Sequence, residues 1–390
     1  MADSLLFCNA TVLLSDGFSS NLCLRVSGGE VAEIAPGLRP LEGEQVVDCT
    51  GGLLVPPVLD MHVHGGGGHS FLVPPEKGIE EAVAEVRAAC RAQYLQGTRW
   101  LLATLPLSSP QTWRFSLEAV DKAMLMQRRE STSHEARILG AYLEGPFLNP
   151  QMAGGMEGDF VSLWNPRLFQ ETMERFAGVV RVVTVAPESP FAEQAIQVAR
   201  QAGALIFMGH SRASFEEARR AIGQGVSGAT HIFNAMAPYH HREPGVLGAA
   251  LLSSLHCELI AELVHLHPAS WMLALKVKGE ERLVAVSDGS PLACSGKEAL
   301  EWGGVRLLRK ETASVTPEGR LCGTAVSLLQ GLAFLHRYGV IPFERGIRLA
   351  TVNPGGLLGI KPPWCLYRGY RGALVLLDLK NDLSRTEVFG

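Results

Sequence analysis

The amino-acid sequence predicts an α/β fold, a (β/α)8 TIM-type barrel joined to a small β-domain formed from both ends of the chain. Two observations lead to this expectation. From Leu53 onward, short runs rich in β-branched residues alternate with longer stretches of helical periodicity, as in parallel strands joined by crossover helices. Imidazole and carboxylate side chains end most of these runs, as they do at the active-site face of a barrel.

Eight apolar runs are interpreted as the barrel strands: LLVPPVLDMHVH, TRWLLATL, RILGAYLEGPF, VRVVTVAPE, ALIFMGHS, GATHIFNAM, CELIAELVH and RLVAVSDG. Apolar residues recur at i, i+3, i+4 and i+7 in the stretches between them, which predicts amphipathic helices in IEEAVAEVRAACRAQYLQG, FSLEAVDKAMLMQRR, FAEQAIQVARQAG and SFEEARRAIGQG. Eight such units can close into a barrel, but the same alternation also fits an open, doubly wound sheet.

The two ends of the chain have a different pattern. Residues 1–52 alternate apolar and polar positions between Gly, Asp and Ser, which predicts short strands, and strand character returns in GYRGALVLLDL and TEVFG. We therefore expect a small domain from residues 1–52 and 355–390, and a barrel from residues 53–354. Residues 291–322 are interpreted as a loop with a short hairpin, followed by two closing helices.

Composition excludes several classes of protein. The 390 residues are 47% hydrophobic and 19% charged, with a net charge of −4, which predicts a soluble globular protein without the basic surface that nucleic acid requires. The absence of a long uninterrupted apolar stretch argues against a membrane span. Eight cysteines without a CxxC pair and an N-terminus without a basic region predict a cytoplasmic protein.

Six of the eight predicted strands end in groups that can bind a metal or move a proton. In chain order these groups are His62 and His64, Glu144, His210, His231, His265 and Asp288. Because the carboxyl ends of barrel strands share one face, these groups are expected to meet there. Alternation within a strand also places His62 and His64 on one side. Imidazole and carboxylate suit zinc, iron, manganese or cobalt, so the sequence predicts a divalent metal site.

Seven motifs occur in a fixed order along the chain: HVHGGGG, LEGPFLN, APE, GHS, THIFNAM, HHREPGVLGA and SDG. Together they resemble the N-acetylglucosamine-6-phosphate deacetylase family of the amidohydrolase superfamily, over nearly the whole chain. The resemblance implies a barrel with a small β-sandwich made from both termini, a homodimer, and hydrolysis of the acetamide of an amino-sugar phosphate.

The resemblance also implies roles for single residues. By position, Asp288 matches the catalytic aspartate, and the primary metal ligands match Glu144, His210 and His231. The second-metal pair, which some members have and others lack, matches His62 and His64. We therefore expect one or two divalent ions per subunit, with zinc favoured.

The resemblance also implies which residues contact the substrate. The contacts to the sugar and its phosphate match Asn234, the backbone of Ala235 and His265. An arginine that reaches the phosphate across the dimer interface matches Arg242. Residue chemistry alone leaves other roles open, namely a turn or cap for Asn234 and a surface salt bridge for Arg242.

The sequence departs from the family pattern at four positions. Glu262 and Leu263 replace an Asp-Gly pair, Met156 stands where a lid histidine is usual, and Ser70 stands where an aspartate often follows the glycine loop. These positions are expected on the sugar side of the site rather than the metal side. They leave two alternatives: another amidohydrolase reaction, on a related N-acyl sugar or a cyclic amide, and a degenerate, non-catalytic sugar-phosphate-binding protein.

Overall fold

The computed structural model describes residues 4–130, 134–156, 158–378 and 386–389, so residues 1–3, 379–385 and 390 of the expected small domain lie outside the described residues. The strands are β1 Ser4–Leu14, β2 Gly17–Ser27, β3 Glu30–Ala35, β4 Gln45–Asp48, β5 Leu53–Val55, β6 Val58–Val63, β7 Gly65–Gly66, β8 His69–Ser70, β9 Thr98–Leu105, β10 Arg137–Glu144, β11 Val180–Val185, β12 Leu205–Met208, β13 Gly228–Ala229, β14 His256–Ile260, β15 Leu283–Val286, β16 Ala299–Trp302, β17 Val305–Lys310, β18 Ala313–Val315, β19 Leu321–Thr324, β20 Leu374–Leu377 and β21 Thr386–Phe389.

The α-helices are α1 Ile79–Leu95, α2 Pro110–Glu130, α3 Pro166–Arg175, α4 Ala192–Gln201, α5 Phe215–Gln224, α6 Gly245–Leu252, α7 Pro268–Lys278, α8 Leu328–Arg337, α9 Phe343–Leu349 and α10 Val352–Leu358. The helix α5 shows how local sequence sets an element: Ser214 and Glu217 form a capping box at its start, and Gly225 follows its end with φ of 120°. Among the described residues, no helix is both long enough and apolar enough to cross a bilayer.

Eight parallel strands form the barrel, in the order β6, β9, β10, β11, β12, β13, β14 and β15. The two edge strands, β6 and β15, meet at their carboxyl ends. There the backbone N–H of Asp288 donates to the backbone carbonyl of His62 at 2.9 Å, and the backbone N–H of His64 donates to the backbone carbonyl of Gly289 at 2.8 Å. This contact closes the barrel, which confirms the predicted fold class and rules out the open sheet. Each of the eight predicted runs contributes one barrel strand.

The interior of the barrel is packed below the mouth. An inner cluster of buried side chains fills this space, comprising Leu59, Met61, Leu102, Tyr142, Val182, Phe207, Ile260, Val284 and Val286. A larger apolar cluster lies between the strands and the surrounding helices. Since these apolar layers occupy the lower barrel, the polar strand ends form the floor of the mouth above them.

Besides the barrel, the described residues form three further sheets, of which the smallest is the pair β7 and β8. A seven-stranded sheet combines β1–β5 with β20 and β21, so both ends of the chain contribute to it. The boundaries expected at residues 52 and 355 stay a prediction. Residues 299–324 form the four-stranded antiparallel sheet β16–β19, more structure than the loop and short hairpin expected from sequence, and its side chains reach the barrel mouth.

Candidate active site

Six polar side chains meet at the carboxyl ends of the barrel strands, and all are at most 7% exposed. They are His62 in β6, His64 just after it, Glu144 at the end of β10, His210 after β12, His231 after β13 and Asp288 after β15. The structure thus brings together every residue that the sequence analysis named as a metal ligand or catalytic acid.

A bulge in β6 sets the direction of the two histidines. Asp60 pairs with Leu101 and Val63 with Ala103, so one extra residue is accommodated in β6 between these pairs. Leu59, before the bulge, and Met61, within it, belong to the inner cluster, whereas Val63, after the bulge, packs in the outer apolar layer. His62 therefore joins the mouth instead of the helical layer, since bulges re-aim side chains in this way.

Backbone strain is concentrated at the same strand ends. His210, His231 and Asp288 have φ values of 48°, 25° and 51°. Left-handed backbone is uncommon for residues other than glycine and is found preferentially at functional sites. These three residues begin the turns that leave their strands, and the turns deliver their side chains to one point.

Glu144 is at the centre of the cluster. Its Oε1 lies 3.1 Å from Nε2 of His210, 3.1 Å from Nε2 of His231 and 3.4 Å from Nε2 of His62. Its Oε2 lies 3.4 Å from Nε2 of His64. Two sets of donor atoms share this carboxylate, one with His62 and His64 and the other with His210 and His231, and within each set the atoms lie within 4.8 Å of one another.

The imidazole rings are oriented as metal ligands would be. Nδ1 of His210 lies 2.8 Å from the carbonyl of Met152, and Nδ1 of His64 lies 3.3 Å from that of Thr104. A carbonyl only accepts, so each Nδ1 carries a proton, and Nε2 is the nitrogen that faces Glu144. Metal-binding histidines commonly donate their other ring N–H to a carbonyl in this way, so both rings are oriented to offer Nε2 to an ion.

The distances and the unpaired atoms both fit a divalent ion. Two ligand atoms at about 2.0 Å from one tetrahedral ion lie roughly 3.3 Å apart, close to the separations around Glu144. In addition, Nε2 of His62 and Nδ1 of His231 are buried without a hydrogen-bond partner. Buried polar atoms seldom remain unsatisfied, which marks this cluster as a site for a bound group.

Glu258 supports the ligands from inside the barrel. It is fully buried, and its Oε2 accepts from Nδ1 of His62 at 3.0 Å and from the hydroxyl of Tyr142 at 3.4 Å. A carboxylate behind a metal-binding histidine fixes the ring and raises its basicity. The sequence analysis missed this role, although a charged residue inside the apolar run CELIA was its signal.

Charges in the cluster depend strongly on one another. Burial by itself lowers the pKa of His62, but the carboxylates of Glu144 and Glu258 raise this pKa well above its ordinary value. Burial by itself raises the pKa of Glu144, but the charge of His62 and the hydrogen bonds from His210 and His231 lower it well below the usual range. The cluster therefore contains a permanently ionised carboxylate surrounded by imidazoles.

Asp288 lies beside this cluster with its Oδ1 3.0 Å from Nε2 of His64 and 3.5 Å from Nε2 of His62. Burial raises the pKa of Asp288, but the hydrogen bond with His64 and the charge of His62 outweigh it and lower the pKa to about 2. The group is therefore ionised at neutral pH and able to accept a proton.

A second buried acid anchors the strand that carries Asp288. Asp60 is fully buried, accepts from the Ser287 hydroxyl, and accepts from the backbone N–H of Ser287 at 3.2 Å and of His62 at 3.3 Å. Burial raises the pKa of Asp60 to about 6. The first and eighth strands are thus joined at the level of the site, a link that the sequence analysis did not identify.

A cavity of about 460 Å³ opens above the cluster. Three of the predicted substrate contacts line it together with the metal-site residues, namely Asn234, Ala235 and His265. The same cavity has a mostly apolar part of its lining, which consists of Pro106, Met156, Trp302 and Cys322. Arg320 also lines the cavity and was not singled out from sequence, since it lies in the turn between β18 and β19 of the antiparallel sheet.

The departure at Glu262 has a structural role. This fully buried carboxylate accepts from Nδ1 of His265 at 2.6 Å, from the Thr312 hydroxyl at 2.7 Å and from the backbone N–H of Val264 at 2.8 Å. Burial raises the pKa of Glu262, but its contacts with His265 lower it overall. Glu262 therefore holds the His265 ring in the cavity wall.

Arg242 is the one predicted substrate contact that does not line the cavity in a single chain. It is exposed, and its Nη1 lies 3.0 Å from Nε2 of His241. Among the described residues, no carboxylate forms a salt bridge with it, so the alternative role as a surface salt bridge gains no support.

Asn234 makes only weak local contacts. Its amide nitrogen lies 3.4 Å from the carbonyl of His231 and 3.5 Å from that of Ile232. Such long contacts are poor hydrogen bonds. The amide is therefore available to the cavity, although the turn role considered from sequence is also consistent with these contacts.

Known proteins with similar sequences and structures are amino-sugar-phosphate deacetylases. The N-acetylgalactosamine-6-phosphate deacetylase of Escherichia coli O157:H7 is 31% identical over 386 residues, covering 94% of this chain and 93% of that protein. The N-acetylglucosamine-6-phosphate deacetylase of Lysinibacillus sphaericus is 26% identical over 378 residues, covering 96% of this chain and 94% of that protein. No family model matches.

Solved structures agree in fold over the whole chain. The structure of N-acetyl-D-glucosamine-6-phosphate deacetylase from Mycobacterium smegmatis superposes with a TM-score of 0.79 at 25% identity, covering 99% of this chain and 97% of that chain. With this fold and the relative at 31% identity, the chain belongs to the N-acetylglucosamine-6-phosphate deacetylase family of the amidohydrolase superfamily.

Proposed function

We propose that this protein is a metal-dependent hydrolase that converts N-acetylglucosamine 6-phosphate and water to glucosamine 6-phosphate and acetate. The observation that carries the proposal is the position of Asp288 beside the Glu144 cluster, in a cavity that Asn234 and His265 also line. The relatives named as deacetylases of this substrate support it.

The residues that would hold a metal are Glu144, His210 and His231 in one set, and His62 and His64 with the shared Glu144 in the other. A divalent ion bound there, with zinc favoured, supplies Lewis acidity that lowers the pKa of water and polarises a carbonyl oxygen. The two sets allow one or two ions per subunit.

Asp288 moves the proton in this proposal. Its carboxylate accepts a proton from the water that attacks the amide carbonyl, and then donates that proton to the nitrogen as the carbon–nitrogen bond breaks. One group can act first as base and then as acid because the two steps are sequential. The hydrogen bond with His64 at 3.0 Å holds the carboxylate in place during both.

The phosphate is bound away from the reacting bond. Asn234, the backbone of Ala235 and His265 supply polar groups on one wall, and Glu262 fixes His265 there. Binding energy gained at the phosphate then orients the amide over Asp288. The departure from an Asp-Gly pair to Glu262 and Leu263 keeps a carboxylate in this position.

The same geometry would serve the epimeric substrate N-acetylgalactosamine 6-phosphate, which the relative at 31% identity deacetylates by its name. Acetate release from both sugar phosphates, and from unphosphorylated N-acetylglucosamine, tests the proposal when the metal content of the same sample is measured. Turnover of both phosphates is expected, with at least about a 100-fold lower kcat/KM without the phosphate. Release from a cyclic or unphosphorylated amide alone would contradict it, and neither of the two relatives named above favours those alternatives.

We further propose that the protein is a cytoplasmic homodimer. Exposed apolar side chains lie on α7, where Leu273 is 47%, Val277 45% and Met272 40% exposed, and near it, where Leu252 of the adjoining helix α6 is 71% and Val264 is 40% exposed. Such side chains are typical of an interface, and a twofold dimer would cover them with the same residues of a second copy. Eight free cysteines fit a reducing compartment.

Arg242 would then complete the site of the other subunit. The Arg242→Ala variant is expected to raise KM for the sugar phosphate about 10-fold or more with a smaller change in kcat, because one phosphate contact is lost. Steady-state kinetics on the purified protein measures the changes in KM and kcat separately.

Mixed dimers distinguish contribution across the interface from a contact within one chain. When Arg242→Ala and Asp288→Asn subunits are combined, one site of each mixed dimer has an intact Asp288 and an intact arginine from its partner. At substrate concentrations well below KM, activity is expected to reach about half that of wild type per mixed dimer, and the active site is expected to have the wild-type KM. Mixed dimers that keep the raised KM of the Arg242→Ala parent would contradict the role of Arg242 across the interface.

Glu258 is a positioning residue, and its substitution tests the hydrogen bond that orients the His62 ring. The Glu258→Gln variant is expected to weaken metal binding about 10- to 100-fold because the ring loses its charged partner. Chelator competition measures this affinity. Glu193→Gln, an exposed change on α4, is the matched control and should not alter it. Unchanged metal affinity in Glu258→Gln would show that Glu258 has only a structural role.

A further inference from the structure

A second cavity adjoins the active site on its apolar side. It has a volume of about 290 Å³, several times the roughly 30 Å³ share of a water molecule in the liquid. It shares five lining residues with the active-site cavity: Pro106, Gly155, Met156, Trp302 and Cys322. The remaining lining includes Leu72, Phe160 and Val305, and none of the residues that line it is charged.

The position of the substrate decides what faces this second cavity. This step rests on the proposed function, in which the sugar phosphate lies against Asn234 and His265. A secondary amide is planar and trans, so the acyl carbon and the sugar carbon point away from each other across the carbon–nitrogen bond. Asn234 and His265 line only the active-site cavity, so an acyl group directed away from the sugar is directed towards Pro106, Met156 and Trp302, which the second cavity shares.

Part of the wall between the cavities is rigid and part can adapt. Trp302 is held by a hydrogen bond from its Nε1 to the Ser70 hydroxyl at 2.8 Å, and Gly155 packs so closely that an added Cβ would lie 2.4 Å from Sγ of Cys322. Met156 is held only partly, since its Sδ accepts from the backbone N–H of Leu107 at 3.1 Å. Methionine is unbranched and repacks readily, so its side chain is the adaptable part of the wall.

We infer that the second cavity binds N-acyl groups longer than acetyl, so that N-propanoyl and N-butanoyl glucosamine 6-phosphates are substrates of the same site. Hydrolysis breaks the same bond and releases the matching carboxylic acid in place of acetate. Each methylene that moves from water into an apolar cavity increases affinity about 4-fold. This gain offsets the cost of accommodating a larger acyl group in the site.

The experiment compares kcat/KM for the N-acetyl, N-propanoyl and N-butanoyl substrates by release of the common product, glucosamine 6-phosphate, from the metal-loaded enzyme. We expect the N-butanoyl compound to be used at least as well as the N-acetyl compound, with a gain of up to roughly 16-fold from its two additional methylenes. A preference for N-acetyl over N-propanoyl of more than about 10-fold would overturn the inference and leave the proposed function standing. No turnover of any of the three would overturn both.

A filling variant tests the location of the acyl chain. Val305 lines only the second cavity, so Val305→Phe is expected to lower the ratio of N-butanoyl to N-acetyl kcat/KM at least about 10-fold. Arg306→Phe places the same ring at the next, exposed position of β17, does not line either cavity, and should leave the ratio unchanged. An unchanged ratio in Val305→Phe would overturn the assignment, and the wild-type series tests it independently of any variant.

Discussion

The Asp288→Asn variant is expected to lose about 10²- to 10⁴-fold in kcat while keeping its fold and its bound metal. The amide has the shape of the carboxylate and can remain beside His64, whose Nε2 lies 3.0 Å from Oδ1 of Asp288. It cannot accept a proton from water or return one to the leaving nitrogen. Steady-state kinetics, metal analysis and thermal unfolding on one sample measure the three properties.

The matched control is Asp121→Asn on α2, in the outer helical layer, which should leave kcat unchanged. A loss of metal together with activity in Asp288→Asn would make Asp288 a ligand rather than the proton carrier. Retention of more than about a tenth of wild-type kcat would contradict both roles, since general acid–base catalysis is worth at least about 100-fold.

The Glu144→Gln variant is expected to lose its metal, and with it the activity. Glu144 is the only carboxylate common to both donor sets among the described residues, and its two oxygens face four imidazole nitrogens at 3.1–3.4 Å. Loss of an outer partner of a ligand costs about 10- to 100-fold in metal affinity, so loss of the shared negative charge is expected to cost more than about 100-fold. Metal-to-protein stoichiometry after dialysis measures the effect.

A second buried carboxylate separates metal loss from general destabilisation. Glu135 is 5% exposed and binds Arg87 and Arg91 far from the barrel mouth. Glu135→Gln should lower the Tm without changing the bound metal, because it breaks a buried ion pair. Glu144→Gln should remove the rise in Tm that added metal gives the wild type. Stoichiometric metal in Glu144→Gln would contradict the ligand set, and His210→Ala provides the same test if the first variant does not fold.

The barrel could be predicted because its pattern is local. The run TRWLLATL corresponds to β9 without any shift of its boundaries, and SFEEARRAIGQG contains α5 with its capping box and terminal glycine. Alternation, helical periodicity and cap residues act over a few positions, so they can be read from sequence directly. The first run was less regular: its residues 53–55 pair in the seven-stranded sheet and residues 58–63 form β6.

The sheet β16–β19 was underestimated because its strands are short and half exposed. Trp302 and Cys322 from this sheet complete the apolar wall of the site, yet neither residue type by itself indicates a functional role. Their position follows from pairing with other strands of the sheet and from contacts such as that of Trp302 with Ser70, which is 232 residues away in sequence. Contacts at such separation leave no periodic signal in the sequence.

The candidate metal ligands could be expected to meet from their places at strand ends, because parallel barrel strands must deliver those ends to one face. The tertiary structure decided how these residues are arranged: the bulge in β6 turns His62 into the mouth, Glu258 fixes that ring from 196 residues away, and the carbonyl of Met152 sets the tautomer of His210. Sequence by itself thus determined which chemistry is available, since residue type and strand position are local properties. Shape, ligand geometry and the size of the acyl cavity depend on packing between distant segments, which only the folded chain brings together.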